Sequence, residues 1–262
     1  MIQSPSSKLQ IEILGHTAQI TINNPSANTW DPESLAALPQ IVEALNKDSN
    51  IWSLIITGSG PKFFSAGADL KLFKDGDKAM AWTMARLFGC AFESLANFKG
   101  VSIAAVNGFA MGGGLECALA CDFRILEDHA QVALPEATVG LMPCAGGTQN
   151  LPWLVGESWA KRMMLLGERI PAQTALNIGL ADAVVPAGKA KETALEWIKK
   201  SESQSPQSVQ LCKKMIQSAR LKPLFDNFTA ERESFVDLFK TFDQKEGVNA
   251  FLEKRKADWK NS

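Results

Sequence analysis

Two glutamates, Glu116 and Glu136, stand where the sequence could carry out acid–base chemistry. Each reads as the start of a helix beside a glycine-rich stretch: Glu116 follows residues 112–114, and Glu136 precedes residues 140–147. A single acidic residue in a first helical turn also has a structural explanation, because it stabilises the helix dipole by roughly 0.3 to 1 kcal/mol. Two carboxylates across a small gap can instead hold one water, with one acting as base and the other as acid.

The glycines before Glu116 predict a site for backbone hydrogen bonding. Three successive glycines at residues 112–114 let amides approach a ligand, and the following helix start aims those amides and the positive dipole end at one point. An anion or a developing oxyanion would fit there. A phosphate cradle is the alternative, but the lysine followed by serine or threonine of a P-loop is missing.

A second small-residue loop, residues 63–71, contributes another candidate donor. It follows a strand that ends near Thr57, and its simplest interpretation is a turn in which Asp69 caps a short helix. In the functional interpretation, the amide of Ala68 converges with that of Gly113 on one carbonyl oxygen. Deleting one such donor typically costs roughly a hundredfold to a thousandfold in rate.

Other catalytic and metal chemistries are disfavoured by the residue inventory. There is no Gly-x-Ser-x-Gly motif for a serine nucleophile, and only two histidines, His16 and His129, are available as bases. Cys117 and Cys121 lie four apart on a probable helix, which makes a metal pair conceivable. Because the five cysteines lack paired zinc-site spacing and the histidines are distant in sequence, we predict no metal.

Composition bounds the partners and the location. The chain has 262 residues, of which 46% are hydrophobic, enough for a sizeable core. A net charge of −1 provides no global attraction for nucleic acid or an anionic membrane, so neither is expected as a partner. No segment approaches the roughly 20 apolar residues that span a bilayer, and the first residues lack a signal peptide's apolar region. With cysteines that read as reduced core residues, these features predict a cytoplasmic protein.

Strands that alternate with helices predict an α/β fold. Expected strands are residues 9–14, 17–23, 52–57, 102–106, 123–126 and 131–134, and expected helices are residues 78–97, 157–166 and 172–178. A further helix follows Asp31, which supplies an N-cap, and Pro32, which suits the first helical position. Its apolar stripe of Leu35, Leu38, Ile41, Val42 and Leu45 has helical spacing, so one face is expected to be buried.

The composition changes near residue 189, where strand-like segments end. We therefore predict a core, residues 1–188, that carries the site, and a helical region, residues 189–262. Four helices are expected in that region, at 190–200, 207–220, 224–240 and 244–258, with breaks at Pro206 and Pro223. These helices carry more aromatic surface than a peripheral helix needs, which suggests a lid or an oligomerisation element. The residues that provide this surface include Phe225, Phe228, Phe235, Leu238 and Phe239.

Several segments together resemble the crotonase superfamily, and within it the enoyl-CoA hydratases. They are Phe-Ser-Ala-Gly-Ala-Asp-Leu (64–70), Ala-Val-Asn-Gly-Phe-Ala-Met-Gly-Gly-Gly-Leu-Glu (105–116), Ala-Cys-Asp-Phe (120–123), Leu-Pro-Glu-Ala-Thr-Val-Gly-Leu-Met-Pro-Cys-Ala-Gly-Gly-Thr-Gln (134–149), Gly-Leu-Ala-Asp-Ala-Val-Val-Pro (179–186) and Phe-Leu-Glu-Lys-Arg-Lys (251–256). They occur in the family's order and cover most of the chain.

The resemblance implies a fold, an assembly and a reaction. The implied fold is a ClpP-like spiral of ββα repeats, followed by a C-terminal helical region that builds trimers, often paired as hexamers. The implied substrate is an acyl-CoA thioester whose oxygen binds the amides of Ala68 and Gly113. Glu116 and Glu136 both match the hydratase pattern, so the implied reaction adds water to a trans-2-enoyl-CoA, and no separate cofactor is required.

The resemblance also implies a substrate path and leaves alternatives. The CoA and acyl path is expected along residues 66–71, with contacts at Ala66, Ala68, Asp69, Leu70, Lys71 and Gly113. Candidates for the acyl pocket are Leu72, Phe73, Trp82, Leu87 and Met142. The same oxyanion hole with one dominant base would serve a Δ3,Δ2-enoyl-CoA isomerase or another crotonase-type acyl-CoA reaction. A non-catalytic CoA-binding or RNA-binding relative is the alternative from another class.

Overall fold

The computed structural model describes residues 2–220 and 224–262 as a mixed α/β protein. Its strands are β1 Leu9–Leu14, β2 Thr17–Ile22, β3 Ser53–Gly58, β4 Phe63–Ser65, β5 Val101–Val106, β6 Phe109–Met111, β7 Phe123–Glu127, β8 Gln131–Ala133, β9 Ile170–Pro171 and β10 Ala183–Val185. Its helices are α1 Pro32–Lys47, α2 Lys78–Ala96, α3 Gly113–Leu119, α4 Gly147–Leu165, α5 Ala172–Asn177, α6 Ala190–Glu202, α7 Pro206–Ser218, α8 Leu224–Leu238 and α9 Phe242–Leu252. Two 3₁₀ turns span Leu70–Phe73 and Glu136–Val139.

Two sheets organise the core. The larger has the order β1-β2-β3-β5-β7-β10; the β1–β2 pair is antiparallel and the other pairs are parallel. The smaller has the order β4-β6-β8-β9, parallel except for the β8–β9 pair. The strands of the smaller sheet follow those of the larger one along the chain, so β3 leads to β4, β5 to β6 and β7 to β8. This alternation brings the loops after β4, β6 and β8 to one side of the molecule.

The main expected elements are present for the expected physical reasons. The β3 strand is buried at every position, as its continuous apolar run indicates. The Asp31 side chain accepts a hydrogen bond from the Ser34 amide and begins α1 with a capping box, and Pro32 occupies the first turn. The apolar stripe of α1 is buried against the sheet and α2.

The C-terminal helices begin directly on the outer face of the larger sheet. Ala194 and Ile198 of α6 pack against Ile55, Ile103 and Ile125 in a second apolar cluster. The division expected at residue 188 stays a prediction. Pro206 stands at the first position of α7, whereas Pro223 and the side chain of Phe225 lie outside the described residues.

Four strands and half of a helix were not expected from the sequence, and one of these strands, β9, has only two residues. The strands β4, β6 and β10 have three residues each and lie between turn-forming residues, so no alternation is readable in them. The range Gly147–Leu165 contains two helical segments that meet at Gly156, whose backbone is not helical (φ 76°, ψ 164°). The second segment is the helix expected at 157–166, whereas the first, which contains Pro152, was not expected. No helix in the described part of the chain is long and apolar enough to cross a membrane.

Candidate active site

Glu116 is placed by the turn from β6 into α3. Gly112 adopts φ 53° and ψ −124°, a conformation open to glycine but not to other residues, and this turn directs α3 away from the strand. The next glycines permit close contact, because a Cβ on Gly114 would lie 2.1 Å from the carbonyl oxygen of Ser65. Glu116 lies one turn into the helix and is only 2% exposed.

The Glu116 carboxylate is held by two backbone donors. Its Oε1 accepts hydrogen bonds from the amides of Ala145 (2.8 Å) and Gly147 (2.9 Å). Burial raises the pKa of Glu116 above its usual value, while these two hydrogen bonds act in the opposite direction. The close approach of the Gly147 backbone to Glu116 Oε1 favours glycine at this position, because a Cβ there would lie 2.9 Å from the same oxygen. The two amides therefore favour the charged form of a buried acid.

Glu136 begins the 3₁₀ turn after β8 and experiences a different environment. Burial raises its pKa to about 7; a hydrogen bond from its own backbone lowers the pKa and the nearby charge of Glu116 raises it. Its Oε2 is buried without a hydrogen-bond partner in the described part of the protein. A carboxyl group that is desolvated at an oxygen without a donor is stabilised in its neutral form. The two amides thus offset part of the cost of burying a charge on Glu116, whereas Glu136 is prone to keep its proton near neutral pH.

Both glutamates face a single cavity of about 830 Å³. Apart from these two carboxyl groups, no charged side chain of the described residues lines it. The walls come from the loop after β4, one face of α2, the glycine turn before α3 and the segment after Glu136; the lining includes Ala66, Ala68, Leu70, Phe73, Ala81, Met84, Ala85, Phe88, Gly113, Val139, Leu141, Met142 and Cys144. Such walls suit an aliphatic chain and strengthen electrostatic interactions with the carboxyl groups.

The amides of Ala68 and Gly113 lie beside this cavity. Trp30 and Ala68 form a parallel bridge in which the Trp30 amide donates to Gly67 (2.8 Å) and the Asp69 amide donates to Trp30 (3.1 Å). That pairing uses the neighbours of Ala68, so the Ala68 amide points to the other side. Gly113 is the first residue of α3, where an amide has no acceptor within the helix. The loops touch, since a Cβ on Gly67 would lie 3.1 Å from the Gly113 nitrogen.

The structure brings most of the expected site residues together. Glu116, Glu136, Ala66, Ala68, Leu70 and Gly113 all line the cavity. Asp69 and Lys71 do not line it; the Asp69 side chain caps the following 3₁₀ turn by accepting a hydrogen bond from the Lys71 amide (3.1 Å). Their contact with CoA stays a prediction.

Of the acyl-pocket candidates, two line the cavity and three do not. Phe73 and Met142 face it, whereas Leu72, Trp82 and Leu87 lie outside the lining, with Trp82 66% exposed. The actual wall of α2 consists of Ala81, Met84, Ala85 and Phe88. Their spacing of three and four residues marks one helix face in the sequence. The pattern identifies a face but not the cavity that the face borders, so the choice of Trp82 and Leu87 selected the wrong side of α2.

Cys144 is a further cavity residue that sequence reasoning did not select. Burial, with added repulsion from the charges of Glu116 and Glu136, raises the pKa of its thiol to about 11. The thiol is therefore neutral near pH 7 and a poor nucleophile. In residues 2–220 and 224–262 no group of three or more His, Cys, Asp or Glu side chains is arranged to hold a metal ion.

Comparison with known proteins agrees with this geometry. A family model described as enoyl-CoA hydratase/isomerase matches residues 12–262. The chain is 36% identical over 249 residues to the short-chain-enoyl-CoA hydratase of Clostridium acetobutylicum, with 95% of each chain covered. This chain belongs to the enoyl-CoA hydratase/isomerase family. It is also 39% identical over 242 residues to the 2,3-dehydroadipyl-CoA hydratase of Escherichia coli, covering 92% of this chain and 94% of that one.

Solved structures place this family member in the crotonase fold. DspI of Pseudomonas aeruginosa is 61% identical, with 97% of each chain covered and a TM-score of 0.95. An enoyl-CoA hydratase from Bacillus anthracis is 34% identical, with 98% of this chain and 100% of that chain covered and a TM-score of 0.94. These likenesses confirm the superfamily and the fold class that the sequence motifs predict.

Proposed function

We propose that this protein is an enoyl-CoA hydratase, which adds water across the double bond of a trans-2-enoyl-CoA to give a 3-hydroxyacyl-CoA. One observation carries the proposal: two carboxyl groups in different environments face one apolar cavity that is also lined by Ala68 and Gly113, whose amides are candidate donors to a carbonyl oxygen. Hydration needs these parts together, namely a base, an acid and a polarised thioester. Enoyl-CoA hydratases among the relatives support the same reaction class.

The environments of the two glutamates suggest their roles in the reaction. The thioester oxygen binds the amides of Ala68 and Gly113, which makes C3 of the enoyl group electrophilic. The Glu116 carboxylate takes a proton from water as the water oxygen bonds to C3, and negative charge moves onto the thioester oxygen. The neutral Glu136 acid then gives its proton to C2, which completes the addition of one water. Proton transfer through solvent returns both carboxyl groups to their starting states.

The rest of the substrate fits the surroundings of the cavity. The acyl chain is proposed to lie against Met84, Phe88 and Met142, while CoA leaves along residues 66–71. In this proposal CoA arrives as part of the substrate, and the reaction uses no metal or redox cofactor. A water shared by Glu116 and Glu136, within hydrogen-bond distance of both, stays a prediction.

The first test follows the absorbance of the conjugated enoyl thioester across a series of trans-2-enoyl-CoA chain lengths. We expect the absorbance to fall as water adds, with a rate that depends on chain length. Glu116→Gln and Glu136→Gln should each lower kcat by about 10²- to 10⁴-fold, because each removes one proton-transfer group. Glu93→Gln, which changes an exposed acid on α2, is the matched control and should retain activity.

Two other results would point to the alternatives. In one, a trans-3-enoyl-CoA gains the absorbance of the conjugated thioester, and it does so with Glu136→Gln at the same rate as with wild type. This result would favour an isomerase. Absence of turnover on every chain length, with CoA esters still bound, would favour a different acyl-CoA reaction or a binding role. Salt-dependent RNA retention at submicromolar protein in a filter-binding titration would support the RNA-binding alternative, which the net charge of −1 disfavours.

We further propose that the protein assembles as a homotrimer, alone or paired as a hexamer, in the cytoplasm. The support for assembly is exposed aromatic surface on α8, on α9 and between them, where Phe235, Phe239 and Phe251 are 61%, 59% and 83% exposed. The Phe235 and Phe239 rings lie in contact, with centroids 5.3 Å apart, and large exposed apolar patches commonly mark an interaction site. The cytoplasmic location rests on the sequence alone.

A further inference from the structure

Three buried aromatic rings connect the two sides of the oxyanion hole. The Trp30 and Phe92 rings meet edge to face, with centroids 5.4 Å apart and an interplanar angle of 73°. Phe92 and Phe88 meet in the same way at 5.7 Å and 71°. Trp30, Phe88 and Phe92 are 0%, 3% and 1% exposed, so solvent has almost no access to the row. We call these three residues the aromatic row.

One end of the aromatic row is fixed to the Ala68 loop through the backbone. The Trp30 amide donates to the carbonyl of Gly67 and the Asp69 amide donates to the carbonyl of Trp30, so hydrogen bonds flank Ala68 on both sides. A displacement of Trp30 therefore displaces the Ala68 amide with it.

The other end of the aromatic row rests against Gly113. A Cβ on Gly113 would lie 2.7 Å from Cε1 of Phe88, so the ring packs against the glycine α-carbon more closely than any side chain would allow. Phe88 lines the cavity, whereas Trp30 and Phe92 do not. Phe88 and Phe92 are four residues apart on α2 and so lie on one helix face.

We propose that the aromatic row sets the separation between the Ala68 and Gly113 amides, with Phe92 as a positioning residue that touches no substrate. In edge-to-face contact with both Trp30 and Phe88, the Phe92 ring keeps the two loops at the distance at which both amides reach one oxygen. The inference rests on thioester binding at these amides, as in the proposed function, but does not require that the enzyme hydrate its ligand.

A shorter or flexible side chain at 92 should let the loops relax. Because oxyanion stabilisation depends on donors already placed where charge develops, the loss falls on the chemical step more than on binding. A misplacement of about 1 Å can cost on the order of a hundredfold in rate. We expect Phe92→Leu to lower kcat by about 10- to 100-fold, with KM changed less than about threefold.

The direct test is the absorbance shift of a bound chromophore. The CoA thioester of 4-dimethylaminocinnamate is suitable, because its electron-donating group disfavours hydration and its absorption moves to longer wavelength when hydrogen bonds polarise the carbonyl. Wild-type protein should shift the band to the red, and Phe92→Leu should reduce that shift while still binding the ligand. Kinetics on a trans-2-enoyl-CoA and thermal unfolding complete the comparison.

Phe98→Leu is the matched control, since Phe98 is equally buried, at 1% exposed, but lies beyond the end of α2 beneath Lys213. It should lower the unfolding temperature as Phe92→Leu does, with the red shift and kcat retained. If Phe92→Leu does not fold, Trp30→Phe replaces it; this change keeps a ring and removes a buried N–H without a partner in the described structure.

Two results would overturn the proposal. In the first, Phe92→Leu, or Trp30→Phe where that replaces it, has the same red shift and the same kcat as Phe98→Leu at similar thermal stability. The aromatic row would then only fill the core. The other is a chromophore that binds the wild-type protein without a red shift, since the two amides would then not polarise the carbonyl. If the protein does not hydrate the substrate but Phe92→Leu still reduces the red shift, the proposed function is overturned and the role of the aromatic row stands.

Discussion

The Glu116 carboxylate receives two backbone hydrogen bonds, whereas one oxygen of Glu136 is buried without a partner in the described structure. The two side chains are chemically identical, so their environments alone separate their protonation states. Amides at Ala145 and Gly147 favour a charge on Glu116, and desolvation with repulsion from that charge favours a proton on Glu136. A base and an acid can thus coexist at one pH.

The pH dependence of catalysis should report this separation. The proposed mechanism needs Glu136 protonated, and its pKa is about 7. We therefore expect kcat/KM for a trans-2-enoyl-CoA to fall as pH rises above about 7, with an acid limb where Glu116 becomes protonated. A profile that rises through neutral pH to a plateau above it would mean that Glu136 acts in its ionised form.

The raised pKa of Glu136 should also make the stability of the protein depend on pH in a definite direction. The folded-state pKa of Glu136, about 7, exceeds the ordinary value of 4.5, so the folded protein keeps a proton that the unfolded chain releases. The group's contribution to stability is complete below about pH 4.5 and is lost as pH rises to about 7. Because Glu136→Gln removes this loss, its unfolding temperature relative to wild type should be higher at about pH 8 than at about pH 5.

The comparison is made by calorimetry at both pH values, with Glu93→Gln as the control. That variant should show the same difference from wild type at both pH values. If the unfolding temperature of Glu136→Gln also differs from that of wild type by the same amount at both pH values, Glu136 titrates normally in the folded protein.

At the scale of elements, α3 joins Glu116 and Gly113 to the two sheets. Its first residues pack directly against backbone, since Gly114 faces the Ser65 carbonyl at the end of β4. Helix α2 borders the other side, where its face from Ala81 to Phe88 lines the cavity and Phe88 touches Gly113. The positions of the amides and carboxyl groups therefore depend on glycines that permit close packing of these elements.

Adding one methyl group to α3 or to α2 should have opposite effects. At Gly114 a Cβ would lie 2.1 Å from a backbone oxygen, so Gly114→Ala must separate α3 from β4 and should destabilise the fold by about 1–3 kcal/mol. At Gly89, within α2, the nearest atom would be 3.6 Å away, an ordinary contact. Gly89→Ala should therefore stabilise the protein by about 0.5–1 kcal/mol through the helix preference for alanine.

Urea unfolding of both variants, with activity measured alongside, tests this pair. A stability for Gly114→Ala equal to that of wild type would contradict the close packing of α3 on β4. Catalytic loss is expected only for Gly114→Ala, because Gly89 does not line the cavity.

At the scale of the whole molecule, the C-terminal segment is tied to both α9 and the core. Asp243 is fully buried and accepts hydrogen bonds from the amides of Lys260 and Asn261. The Asn261 side chain donates to the carbonyl of Ser49, 2.7 Å away, between α1 and β3. These contacts fix one side of α9, while Phe251 and Leu252 at its end remain 83% and 71% exposed.

The exposed aromatic surface of the last helices should hold subunits together. We expect light scattering to give the mass of three or six chains for the wild-type protein. Phe239→Glu combined with Phe251→Glu should shift the mass toward one chain, because burying two carboxylates in an apolar interface is costly. Ile13→Glu, at a 41% exposed position on β1, should leave the mass unchanged. A wild-type protein that runs as a single chain would contradict the predicted assembly.

Much of the fold was readable because its signals are local. The continuous apolar run of β3, the helical stripe of α1 and its Asp31–Pro32 start depend on neighbouring residues only. The short strands β4 and β6 were not readable, because their partners in the smaller sheet are distant in sequence and three residues carry no period. The same distinction explains why the cavity face of α2 was misassigned.

The sequence by itself determined the chemistry that depends on residue type: two glutamates, the small residues that let amides approach a ligand, and a family membership carried by contiguous motifs. Only the tertiary structure decided the protonation tendencies of Glu116 and Glu136 and the partners of their oxygens. It also decided the connection of Ala68 to Gly113 through Trp30, Phe92 and Phe88. Those properties arise from burial and from contacts between residues far apart in the chain, which no local pattern records.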